Sequence, residues 1–140
     1  MIDGLPVALF VCRQNAGRSQ MAAAFFTRAA EGRAIARSAG TTPAAEVHPI
    51  VVEAMREVGI DLSGATPQPL TDELQKEADR AVTMGCGDAC PLVRAPVTDW
   101  ALSDPSGAGI AVVREIRDDI ARRVELLVDE MLADDPSEVR

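Results

Sequence analysis

Two kinds of hydrophobic pattern alternate along the chain: short unbroken apolar runs, and longer stretches whose apolar residues recur every three or four positions. Pro6 to Val11 is a run of the first kind and predicts a strand. After Gly17, the stretch from about Arg18 to Ala30 places Met21, Ala24, Phe25 and Ala29 on one helical face. Ala34 to Ala39 predicts a second short strand, closed by Gly40. Ala45 to Val58 predicts a helix with Val47, Val51, Met55 and Val58 at helical spacing and Gly59 as its stop. Residues 63–70, SGATPQPL, read as a loop, and Thr71 offers an N-cap to a short helix from Leu74 onward. Ala78 to Met84 and Val97 to Trp100 predict two more strands, and residues 103–109 a turn-rich loop. Ile110 to Leu132 carries one long apolar seam and predicts a closing helix.

Strands alternating with helices imply a short parallel sheet, about four-stranded, covered by helices on both faces: a three-layer α/β/α fold. With 140 residues and no internal repeat, residues 1–140 are expected to form a single domain. Ligands of such folds sit beyond the carboxyl ends of the strands, which directs attention to the loop after the first strand.

Charge narrows the function. The formal net charge is −8, which argues against a nucleic-acid binder, so any anionic ligand must be held by a local field. No apolar stretch approaches the ~20 residues of a membrane span, and the start MIDGLPVALF lacks the basic region of a signal peptide. A cytoplasmic protein without membrane partners is expected. Its three cysteines then suit redox, catalytic or metal-binding roles better than a structural disulfide framework.

The first of them, Cys12, ends the first apolar run, six positions before Arg18. A free thiol is mostly protonated at neutral pH, and the thiolate is the nucleophile. Backbone N–H groups in a loop that curls into a helix N-terminus stabilise such an anion and bind an oxyanion by the same means. The loop Arg13, Gln14, Asn15, Ala16, Gly17, Arg18, Ser19 offers those groups, with Asn15 and Gly17 tolerating left-handed backbone. Arg18 adds a permanent cation whose fork grips two oxygens. Ser19 can donate its hydroxyl to the thiolate. A lone cysteine is more often a structural core residue, but strand, Cys-x5-Arg-Ser and helix together favour a nucleophile beside an oxyanion trap.

The string CRQNAGRSQMA resembles the anion loop of the low-molecular-weight phosphatase fold, and RSQMA together with SDPSG at 103–107 resembles the arsenate reductases of that family more than its tyrosine phosphatases. The similarity runs from about residue 6 to 132 and includes SAG at 38–40, HP at 48–49, AMREVGIDLS at 54–63 and VTMGCGDACP at 82–91. It implies a cytoplasmic enzyme that converts arsenate to arsenite in arsenic detoxification. It further implies that Cys12 is the nucleophile, Arg18 the oxyanion clamp and Asp104 the acid that protonates a leaving oxygen.

A reductase must also supply two electrons. In the thiol relay that the resemblance implies, Cys86 attacks the Cys12–arsenic adduct and Cys90 resolves the resulting disulfide, leaving Cys86–Cys90 for an external reductant. Thioredoxin is the expected reductant, with mycothiol or glutathione as alternatives, and no tightly bound cofactor is expected. The Cys-x3-Cys spacing is tighter than in the better-known thioredoxin-coupled members. Some relatives bind potassium through a glutamate in the first helix; Ala23 stands there, and no metal site is carried over.

Two rivals follow from the same residues. A phosphatase would release a cysteinyl-phosphate with water, but the chain has no tyrosine and one tryptophan to wall an aryl phosphate, and Ser106 follows the Asp-Pro pair. A thiol-based metal or arsenite sensor would use Cys86, Cys90 and His48, which leaves Arg18 unexplained; His48, before Pro49, reads as a capping or loop residue.

Overall fold

The structure is a computed structural model that describes residues 1–85 and 96–133. Its elements are β1 (Val7–Cys12), α1 (Arg18–Ala30), β2 (Ile35–Gly40), α2 (Pro49–Arg56), α3 (Asp72–Glu77), β3 (Arg80–Thr83), β4 (Val97–Asp99) and α4 (Ile110–Leu132). The four strands form one parallel sheet in the order β2-β1-β3-β4. All six residues of β1 are buried, as an unbroken apolar run requires in a parallel sheet covered on both faces.

The alternation of side chains along β1 splits the core into two layers. Ala8, Phe10 and Cys12 face the larger cluster, built with Met21, Phe25 and Phe26 of α1, Val51 and Met55 of α2, and Val113, Ile120 and Val124 of α4. Leu9 and Val11 face the other way, onto Ala39 and Ala81 and the partly buried Leu70, Leu74 and Ala78 around α3. Helices thus cover both faces, and the α/β/α expectation holds. Among the described residues, no helix is long and apolar enough to cross a membrane.

The expected helix from Ala45 begins instead at Pro49. Pro49 lacks an amide hydrogen and disfavours helical backbone in the residue before it, so His48 adopts ψ 130° and the helix starts on the proline. The helix ends at Arg56, two residues before the expected Val58, and Gly59 follows with φ +85°, where the N–H groups of Ile60 and Gly59 donate back to the carbonyls of Met55 and Arg56. Thr71 caps α3 by accepting from the Leu74 N–H at 3.2 Å.

The register sets the position of the site. Cys12 pairs with Gly40, Val11 with Thr83, and Thr83 with Asp99, so the carboxyl ends of all four strands lie along one edge. The loop at 13–17 leaves that edge from a central strand.

Candidate active site

Five consecutive carbonyls of the loop are taken by donors outside it. Cys12 O accepts from the Thr41 N–H (3.3 Å), Arg13 O from Thr42 (2.8 Å), Gln14 O from Ala44 (3.0 Å) and Ala16 O from His48 (3.0 Å). Asn15 O accepts from Gln20 Nε2 at 3.1 Å. In a trans peptide unit the N–H points opposite to the C=O, so with these carbonyls turned toward residues 41–48 and Gln20 the N–H groups of 13–17 face the other way. Such a succession of amides forms an anion-binding concavity. Asn15 makes the turn possible with φ +51°, a left-handed conformation that asparagine tolerates better than most residues.

Two glycines hold this loop close to its neighbours. A side chain at Gly40 would begin 2.7 Å from Arg13 O and 2.8 Å from Asn15 N, so the end of β2 can lie under the loop only without one. A side chain at Gly17 would meet Pro105 Cγ at 2.8 Å and His48 Cδ2 at 3.7 Å. The loop carrying Asp104 is therefore seated directly on the loop that follows Cys12.

Cys12 closes β1 as a free thiol, 2% exposed, with its Sγ 3.0 Å from Ser19 Oγ. Ser19, in the first turn of α1, also accepts from Asn15 Nδ2 at 2.7 Å. Arg18, the first residue of α1, is 5% exposed. Its Nη1 donates to Leu102 O at 3.1 Å, and its Nη2 lies 3.7 Å from Asp104 Oδ2. Its Nε is buried and takes no partner among the described residues. A buried, charged donor without an acceptor is costly, and an oxyanion satisfies it. Asp104 is half-exposed and accepts from the Ser106 N–H through Oδ1 at 2.9 Å, leaving Oδ2 to face the guanidinium.

Of the residues expected from sequence, the structure brings together Cys12, Asn15, Ala16, Gly17, Arg18 and Ser19, all buried, with Gln14 partly buried, Arg13 exposed and Asp104 at the rim. Cys86 and Cys90 lie outside the described residues. His48, expected as a capping or loop residue, is the N-cap of α2 and donates its backbone N–H to the loop.

Sequence reasoning missed Gln20, Gln68, Leu102 and the packing role of Gly85. Gly85 has φ +77°, and a side chain there would begin 2.7 Å from Arg18 Nη1, so it bounds the guanidinium. A glycine before Cys86 can be read off the sequence; what it packs against cannot. Gln68 donates its N–H to Asn15 Oδ1 at 2.9 Å and its Nε2 to Ser38 O at 2.8 Å, tying the 63–70 loop to the site. Nothing in a proline-rich string distinguishes that glutamine from a solvent-facing one.

The family model described as low molecular weight phosphotyrosine protein phosphatase matches residues 7–137. A protein of Halobacterium salinarum named "Putative arsenate reductase" is 50% identical over 133 residues, covering 90% of this chain and 93% of that one. A thioredoxin-dependent arsenate reductase from Corynebacterium glutamicum superposes with a TM-score of 0.82 at 38% identity, over 95% of this chain. This chain spans 65% of the length of that relative. An arsenate reductase in the phosphate-binding state superposes with a TM-score of 0.84 at 34% identity, over 91% of this chain and 99% of the other. Strand, anion loop, buried arginine and overall likeness agree: this chain belongs to the low molecular weight phosphotyrosine protein phosphatase family.

Proposed function

We propose that this protein reduces arsenate to arsenite, with Cys12 as nucleophile and an external thiol system as electron source. The observation that carries the chemistry is the loop itself: a buried cysteine, amides turned to one side, and a buried guanidinium whose Nε lacks a partner among the described residues. A tetrahedral oxyanion supplies acceptors for those donors. Relatives named as arsenate reductases at 34–50% identity support arsenate as the anion.

In the first step Cys12 Sγ forms a bond to arsenic(V) while an As–O bond breaks, and Asp104 delivers the proton with which the oxygen leaves as water. Arg18 and the amides of 13–17 stabilise the charge on the remaining oxygens. Cys86 Sγ then attacks Cys12 Sγ. The S–S bond forms as the As–S pair passes to arsenic, which leaves as arsenite, reduced by two electrons. Cys90 displaces Cys12 from that disulfide, and an external dithiol reduces Cys86–Cys90. Thioredoxin is the preferred reductant, supported by the thioredoxin-dependent Corynebacterium relative, with mycothiol and glutathione as alternatives. A relay of free thiols requires a reducing compartment, which supports the cytoplasm and a role in arsenic detoxification. We take residues 1–140 as one domain carrying this site.

The test is arsenate reduction assayed in parallel with thioredoxin, mycothiol and glutathione systems, on wild type and on Cys12→Ser, Cys86→Ser and Cys90→Ser. Loss of all turnover is expected for Cys12→Ser and loss of thioredoxin-coupled turnover for the other two. Retained thioredoxin-coupled turnover in both Cys86→Ser and Cys90→Ser overturns the three-thiol relay. Hydrolysis of a phosphate ester without arsenite formation overturns the reductase in favour of a phosphatase.

A further inference from the structure

We propose that Gln20 is a positioning residue: acting through Asn15, it dictates which way the Ser19 hydroxyl points and so keeps that proton directed at Cys12 Sγ. The inference rests on Cys12 acting as the nucleophile, and it follows from counting donors and acceptors in a buried network.

Asn15 is 0% exposed, and both polar atoms of its side chain are engaged. Its Oδ1 accepts from Gln20 Nε2 at 3.2 Å and from the Gln68 N–H at 2.9 Å, and its Nδ2 donates to Ser19 Oγ at 2.7 Å. The two hydrogens of Gln20 Nε2 are directed at Asn15 Oδ1 and at Asn15 O, 3.1 Å away. Reversing the Asn15 amide would press its NH₂ against two donors, the Gln20 NH₂ and the Gln68 N–H, at a fully buried position where such a conflict is costly. The two glutamines therefore fix the orientation in which Nδ2 faces Ser19.

That orientation settles the serine. Ser19 Oγ already accepts from Asn15, so its single hydrogen is free for Cys12 Sγ at 3.0 Å, the geometry that favours an anionic sulfur. With the amide reversed, Oδ1 would face Ser19 Oγ and draw the hydrogen away from the sulfur. Gln20 touches neither sulfur nor substrate, yet it is the one side chain of the network whose replacement removes two donors while leaving Asn15, Ser19 and Cys12 in place.

Alkylation of Cys12 by iodoacetamide, followed across pH by mass spectrometry of the Cys12 peptide, tests this without arsenate. Gln20→Met keeps length and removes the donors; Gln20→Glu offers an acceptor where a donor stood. Expected are a Cys12 profile moved to higher pH in Gln20→Met and further in Gln20→Glu, and an alkylation rate at pH 7 lowered about threefold to tenfold in Gln20→Met. The same variant is expected to lower kcat for arsenate more than it raises KM, since Arg18 and four of the five carbonyl contacts that turn the loop amides stay in place. In a Ser19→Ala protein, adding Gln20→Met is expected to move the profile no further. An unmoved profile in a folded Gln20→Met, or an equal shift on top of Ser19→Ala, overturns the proposal. One readout needs no variant: the Gln20 side-chain amide resonances of the wild type should titrate together with Cys12, and flat resonances overturn it as well. A protein that shows these shifts but reduces no arsenate supports the role of Gln20 while refuting the reductase.

Discussion

At Gly85 two demands meet in one residue, a left-handed φ of +77° and a close approach to the Arg18 guanidinium. Gly85→Ala would strain the backbone and push its Cβ to 2.7 Å from Nη1 and 3.2 Å from Leu102 O. The backbone cost is about 1–2 kcal/mol. A displacement of the clamp by ~1 Å is expected to lower kcat/KM for arsenate about 10²-fold. Denaturant unfolding run beside steady-state kinetics separates the two effects, and unchanged kinetics would show that Gly85 does not place the clamp. At this scale the sequence revealed the residues whose chemistry is local. Cys12, Asn15, Gly17, Arg18 and Ser19 lie within eight positions, and their spacing alone points to an anion-binding loop. Gln68 and Leu102 stayed hidden because they act through backbone groups, an N–H on Asn15 Oδ1 and a carbonyl on Arg18, and a backbone group carries no signature of its own.

Elements were legible where one physical signal dominates. The apolar seam of α4 marked both its ends at Ile110 and Leu132, and β1 announced itself by continuous hydrophobicity. The start of α2 was misplaced because the apolar period continues through Val47, and Pro49 overrides it sterically. Beside the apolar packing of Val51 and Met55, an ionic cluster joins α2 to α4. Glu57, just past α2, accepts from Arg114 Nε and Nη2 at 2.9 and 2.6 Å and from Arg117 Nη1 at 2.8 Å. Hydrogen bonding from Arg114 first, and then from Arg117, lowers its pKa from an ordinary 4.5 to about 2. A carboxylate depressed in the folded state stabilises the fold above its unfolded pKa and loses that contribution as pH falls through the folded one. Glu57→Gln should therefore melt below wild type at pH 5 and above, with the difference shrinking between pH 4.5 and 2. A difference that stays constant across that range, followed by circular dichroism melting, would assign it to packing rather than charge.

Across the whole molecule, the alternation of strand and helix was enough to foresee the layers, whereas the strand order β2-β1-β3-β4 depends on contacts between distant segments and came only with the structure. Phe10 sits where those segments converge, buried completely, with the Phe26 ring 5.7 Å and the Trp100 ring 6.0 Å away, so one side chain links β1 to α1 and to the end of β4. Phe10→Ala is expected to cost about 3–5 kcal/mol. For a protein of this size that lowers the melting temperature by roughly 10–20 °C, measurable by calorimetry. A loss under about 1 kcal/mol would mean that the layers close over the gap. The interior position of β1 also bears on how the molecule is made. It gains one neighbour from residues 35–40 and the other only from residues 80–83, so during synthesis a nascent chain carries Cys12 open to oxidants until more than half its length has left the ribosome. The thiol proposed as the nucleophile is thus exposed early in the newborn chain, and folding is what first shelters it.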